Sequence, residues 1–209
     1  MKRHTPEDVK REINEEVARE VLKKKYLSFT INQLGINEDL VGKKTSICCA
    51  LVITNLEDKK IDYNIDGSGK GLVDALFNAL IAGLVGDCHS LANLCLEEFS
   101  VNVDEADLRK LRRTGRGTDA HVVTSLRINN GNGKLIPFES RNQSMITSSV
   151  DVVRKTIEFF VNSERAVLRL KDLIEDAEKR NRSDLCERYT IMLSSLIYNT
   201  SYEKSLKEG

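Results

Sequence analysis

Proline and glycine are scarce, two and twelve in 209 residues, which excludes a disordered or fibrous chain. A surplus of either charge is also lacking. Lys+Arg and Asp+Glu both total 32, for a formal net charge of zero. A protein that grips a phosphate backbone needs excess cations, so nucleic acid is not an expected partner. No apolar run reaches the roughly 18 residues of a membrane span. The longest candidate, 72–85, is interrupted by Asp74, Asn78 and Gly83. The amino-terminal stretch MKRHTPEDVKREINEE is too polar for a signal peptide. A cytoplasmic protein with no membrane partner is expected. The five cysteines, Cys48, Cys49, Cys88, Cys95 and Cys186, are odd in number and show no C-x-x-C spacing. A disulfide framework is therefore not expected. His4, His89 and His121 stand alone, without H-x-H or H-E-x-x-H, so neither a metal nor a cofactor is expected.

What is present suffices for a core: 40% of residues are apolar and 31% charged. Residues 5–26 read as a helix. Thr5 caps it, Pro6 suits its first position, and Glu7 and Asp8 favour the positive end of its dipole. Val9, Ile13, Val17 and Val21 form one narrow stripe on an otherwise charged surface. The texture then changes. Strand-like runs fall at 27–31, 45–54 and 60–66, followed by a helical run at 72–84. The order recurs with strands at 95–103, 121–129 and 134–139 and a helix at 145–161. Adjacent Cys48 and Cys49 sit in one of these strands, so at least one should be a small core residue.

This recurrence predicts an α+β fold. Two pseudo-symmetric, strand-rich units each end in a helix (βββα-like), and helices flank them at both termini. The expected organisation is an N-terminal helix at 1–26, a core at 27–162 split into 27–90 and 91–162, and a helical hairpin at 163–209. The hairpin carries Ala166, Leu170, Leu173, Ile174 and Ala177 on one helix. Leu185, Tyr189, Met192, Leu193, Leu196 and Ile197 mark the other.

Two loops could carry chemistry. DGSGKG, 66–71, joins a strand to a helix, where the first helical N–H groups are unpaired and attract anions. It is neither a Walker loop nor G-x-G-x-x-G. By itself a tight strand-to-helix turn is the better account of it. The second loop, RTGRGTDAH at 113–121, holds Asp119, which suits a ligand ammonium or a turn that bonds its own backbone. No nucleophile stands beside a base in a local pattern, so no catalytic residue is expected.

GKGLVDALFNAL, 69–80, resembles the G-x-G-P-V-D-A signature of the carboxyl-terminal regulatory domain of 2-isopropylmalate synthase and citramalate synthase. GTDAHVVTSLRI, 117–128, resembles that domain's second motif, G-T-D-A before an alternating strand. The resemblance covers about 45–162 and includes the duplicated order of elements. It implies a dimerising domain that binds leucine or isoleucine and regulates a separate catalytic barrel in branched-chain amino-acid synthesis. It further implies an effector site at Gly69, Gly71, Leu72, Val73, Asp74 and Ala75, with Gly117, Asp119 and Ala120 from the second motif. Leu72 stands where the family has proline, and RNQSMITSS opens the second helix in place of a glycine-containing acidic segment. A barrel needs about 250 residues. Neither the synthase's arginine–aspartate motif nor its H-x-H metal motif occurs. The expectation is thus a regulatory module that is not itself an enzyme, working as a homodimer or beside a barrel subunit. The alternative is an interaction module with a degenerate pocket, recruiting a partner through its terminal helices.

Overall fold

The computed structural model of the chain describes residues 5–57, 59–104, 107, 120–131 and 133–199. Alternation builds the first sheet. In β2 (Lys44–Asn55), Ile47, Cys49, Leu51 and Ile53 point into the core while Ser46 and Cys48 face out. β2 pairs antiparallel with β1 (Leu27–Asp39) and β3 (Lys60–Gly69), in the order β1-β2-β3. The chain then enters α2 (Leu72–Leu84). The second unit repeats this plan. β4 (Cys95–Val103), β5 (Val122–Asn129) and β6 (Leu135–Asn142) form a second antiparallel sheet, order β4-β5-β6, which leads into α3 (Met145–Lys179). The α+β expectation, two three-stranded units each ending in a helix, agrees with this architecture.

The two units share details that sequence identity hides. β3 ends at Gly69 and α2 starts at Leu72; β6 ends at Asn142 and α3 starts at Met145. Each middle strand ends in asparagine. Asn55 Oδ1 accepts the N–H groups of Glu57 and Lys59 at 3.0 and 3.1 Å. Asn129 Oδ1 accepts those of Gly131 and Gly133 at 3.0 and 3.3 Å. In both hairpins a side-chain oxygen thus organises the turn after the middle strand. The first strand of each unit carries a bulge, after Ile31 and after Leu96.

The helices join the units. α2 lies on β2 and β3, α3 on β5, β6 and β1, and the two helices touch. One core therefore draws on both sheets: Leu51 and Ile65 from the first, Leu126 and Ile128 from the second, with Leu76, Leu80, Ile157 and Phe160 from the helices. Burying each such side chain contributes about 1.5–3 kcal/mol. Phe138, Phe159 and Phe160 meet at 5.2–6.0 Å between ring centres, edge-on or tilted, the arrangement that ring quadrupoles favour.

Five element boundaries differ from expectation. β3 continues to Gly69 and β6 to Asn142, three residues past the expected ends at 66 and 139, because β2 and β5 pair with them throughout, so Asp66–Gly69 of the expected loop are strand. β1 continues to Asp39, so the β1–β2 hairpin projects and leaves Leu40 and Val41 exposed at its tip. The amino-terminal helix α1 is Pro6–Leu22, closed by a capping box between Thr5 and Asp8, and Lys23–Lys25 tighten into a 3₁₀ turn. The largest difference is α3, which runs unbroken through Asn162 and Ser163, where a junction between two helices was expected. The polar groups at this point are satisfied inside the helix or across to the sheet. Ser163 Oγ donates to the Phe159 carbonyl at 2.7 Å, and Asn162 Nδ2 donates to the Glu158 carbonyl at 2.9 Å. The helix reverses only beyond Lys179, where Asn181 adopts φ 53°, and α4 (Ser183–Asn199) returns. α1 completes the expected hairpin to a three-helix cluster packed around Leu22, Tyr26, Val167, Leu170 and Leu196.

Candidate functional site

The end of β3 and the short link to α2 bring part of the first motif together. Gly67 and Gly69 sit where the helix presses on the strand. A Cβ on Gly67 would fall on the Ala79 methyl, and one on Gly69 would lie 2.6 Å from the Ala75 nitrogen. These glycines, with Ala75 and Ala79, let α2 lie directly on β3. Gly71 differs: its backbone is extended, it is the N-cap, and an added Cβ would meet nothing within 4 Å. Its carbonyl accepts the first helical bond, from Ala75 at 2.8 Å.

Asp74 turns back over the helix start. Its Oδ2 accepts the Lys70 N–H at 2.9 Å and its Oδ1 accepts Asn78 Nδ2 at 3.0 Å. An ionised carboxylate has about four acceptor positions, so this leaves capacity for a further donor. Asp74 and Leu72 are half-buried, whereas Val73 and Ala75 lie inside the core. A ligand at this end would meet Gly71, Leu72 and Asp74, and Gly69, Val73 and Ala75 would support them. Gly117 and Asp119 lie outside the described residues. Ala120 is half-buried, two residues before β5.

The structure assembles three further polar clusters. Cys88, Ser90 and Glu164 meet in the interior. Glu164 Oε2 accepts the Cys88 thiol at 2.6 Å, the Ser90 N–H at 3.0 Å and Ser90 Oγ at 2.7 Å. Burial, and then the Glu164 carboxylate, push the Cys88 thiol well above its usual range, so it stays protonated and unreactive. The cluster ties the connection between units to α3. It has no local sequence signal, because 76 residues separate Cys88 from Glu164.

Arg154, Glu158 and Asn162 are four residues apart along α3 and close the edge of β1. Arg154 Nη1 donates to the Phe29 carbonyl at 3.1 Å, and Glu158 accepts the Phe29 N–H at 3.0 Å. Asn162 pairs with both backbone groups of Leu27, at 2.8 and 2.9 Å. The side chains stand in for a fourth strand and protect the edge. The sequence signal that could have found them is their i, i+4 spacing as a polar row within VVRKTIEFFVN.

The third cluster fixes the start of β5. Asp107 Oδ2 accepts the His121 N–H at 3.0 Å, lies 2.7 Å from His121 Nδ1, and takes Arg141 Nη2 at 3.1 Å. These bonds, the His121 backbone first, hold the Asp107 carboxyl below the usual aspartate range. Arg141 Nε also donates to Asp104 at 2.6 Å.

Among the described residues, no three metal-binding side chains gather, and no helix is long and apolar enough to cross a membrane. A search of protein-family models finds no match to the chain, and a search of curated proteins finds no significant relative.

Proposed function

We propose that the chain is a non-catalytic regulatory and dimerisation domain that binds leucine or isoleucine at the start of α2. One observation carries this reading: the βββα unit occurs twice, as the resemblance to the regulatory domain of 2-isopropylmalate synthase implies. The chemistry of the α2 start is compatible with such a ligand. The first helical N–H groups favour a carboxylate. Asp74 offers spare acceptor capacity to an ammonium. Leu72 offers apolar surface to a branched side chain. The regulated partner would be a separate catalytic barrel, and the domain would act as a homodimer.

Calorimetric titration with leucine, isoleucine and valine tests the reading. Saturable heat with leucine or isoleucine is expected, and Gly71→Asp should abolish it. Aspartate is a good N-cap, so the helix would keep its start while the new charge repels a ligand carboxylate. No heat from the folded chain, or unchanged binding by Gly71→Asp, would overturn the assignment.

A second reading is favoured by the inward turn of Asp74 onto Lys70 and Asn78. Here the α2 start is a closed turn, and the terminal helices recruit a partner. In that case no branched-chain amino acid binds, and light scattering with a candidate barrel subunit shows a complex.

A further inference from the structure

The first strands of the two units are covered differently. In the first unit α3 lies on β1, leaves Phe29 only 3% exposed, and closes the start of the strand's free edge through Arg154, Glu158 and Asn162. β4 has no such cover. It is an edge of the second sheet, and among the described residues β5 is the only element packed extensively on it. Phe99 and Val101 face the same side as their cross-strand partners Leu126 and Thr124, which is the core side. Yet Phe99 is 49% exposed, Val103 is 42% exposed and Val101 is half-buried. An apolar row thus runs along a strand whose outer N–H and C=O groups lie outside any ladder among the described residues.

Natural sheets guard such edges with lysine, proline, bulges or charge turned over the edge. Beyond its bulge β4 reads EFSVNV, without lysine or proline. Its two acids lean on β5 instead: Glu98 lies 3.5 Å from Arg127, and Glu97 accepts Asn129 Nδ2 at 3.1 Å. The strand is also compatible with itself. A twofold axis through Ser100, perpendicular to the sheet, sets Phe99 beside Val101 of the copy and Glu98 beside Asn102, each pair twice, with no like charges opposed. An axis through Val101 would oppose Glu98 and Asp104. An axis through Phe99 would draw the bulged Glu97 into the pairing, opposite Val101.

We propose that β4 is the docking edge for a second copy of this chain, paired antiparallel with its β4 about Ser100. The two sheets then become one, and the apolar rows continue each other on the core side. The inference rests on the homodimer of the proposed function and needs no amino-acid site. The pairing spans Glu98–Asn102, a small contact, so the dimer should dissociate on dilution.

Sedimentation equilibrium of the full chain without amino acid, from micromolar to millimolar, is the test. A monomer–dimer equilibrium is expected. Asn102→Glu creates two like-charge pairs with Glu98 and should weaken the dimer about fivefold, whereas Asn102→Lys creates two opposite-charge pairs and should strengthen it about fivefold. Phe99→Lys should weaken it about tenfold or more, because two half-exposed rings lose their burial. Both positions are exposed, so the variants should melt as wild type does. The opposite signs at Asn102 separate this register from a loss of fold. A monomer at every concentration would overturn both the homodimer and the surface. A dimer indifferent to all three variants, or shifted the same way by both Asn102 variants, would overturn the surface and leave the homodimer standing.

Discussion

The three glycines at the end of β3 and the start of α2 should respond differently to the same added methyl group. At Gly67 an alanine Cβ would fall on the Ala79 Cβ and come within 3.0 Å of Ala79 Cα and 3.2 Å of the Ala75 carbonyl. Two of these are helix backbone atoms, so relief requires α2 to lift from β3. Overpacking of this kind costs about 1–3 kcal/mol, and the backbone contact puts Gly67→Ala near the top of that range. The lower entropy of the unfolded alanine chain returns about 0.4–1 kcal/mol. The net loss should be about 2 kcal/mol, or about 4–8 °C in Tm for a chain of this length. Gly69→Ala meets the Ala75 nitrogen at 2.6 Å and should behave similarly. Gly71→Ala meets nothing within 4 Å in an extended backbone. There the small loss of capping and the gain in the unfolded state cancel to about zero. Gly71→Ser adds a capping hydroxyl, which is favoured over glycine by a few tenths, and with the gain in the unfolded state it should stabilise by about 0.5–1 kcal/mol. Urea unfolding followed by far-UV circular dichroism resolves these differences. A neutral Gly67→Ala, or a Gly71→Ala as damaging as Gly67→Ala, would refute the close approach of helix and strand.

Removing the acceptor shared by Cys88 and Ser90 should be costly: Glu164→Ala leaves the Ser90 N–H and one of the Cys88 and Ser90 side-chain donors unpaired and should lose about 3 kcal/mol in urea melts, whereas Glu164→Gln keeps one acceptor oxygen and should lose less. A thiol reagent should label exposed Cys48 and Cys95 in the native protein and reach buried Cys49 and Cys88 only on unfolding; labelling of native Cys88 at the rate of Cys48 would contradict its burial. The Asp107 carboxyl is depressed in the folded state, so its stabilising effect is complete above the ordinary aspartate value of about 3.9 and vanishes as pH falls through the depressed value. Stability curves for wild type and Asp107→Asn should accordingly be separate near neutrality and converge in acid. A constant gap at all pH values would mean that the cluster of Asp107, His121 and Arg141 carries no charge-dependent stability.

The order of elements was legible because each unit has a clear periodicity. The alternation through Ile47, Cys49, Leu51 and Ile53 can satisfy only a strand, and α2 begins and ends where its apolar pattern does. The continuity of α3 was not legible. Asn162 and Ser163 resemble a junction until their side chains are seen bonded to Leu27, Glu158 and Phe159. The length of β1 was hidden for a related reason: LGINED lacks a buried face, and only pairing with β2 keeps it extended. At the candidate site, the sequence showed a helix start behind glycines. It could not distinguish Gly67 and Gly69, which admit a helix, from Gly71, which faces open space. Nor could it pair Cys88 with Glu164 or place Arg11 over Phe138, because those contacts depend on how the units and α1 pack.

Hydrogen exchange of the full chain, with and without excess leucine or isoleucine, tests the central claim most directly. The account predicts slower exchange at 69–76, where the first amides of α2 would hold the ligand carboxylate. Unchanged exchange with either amino acid, or protection confined to the terminal helices, would contradict it.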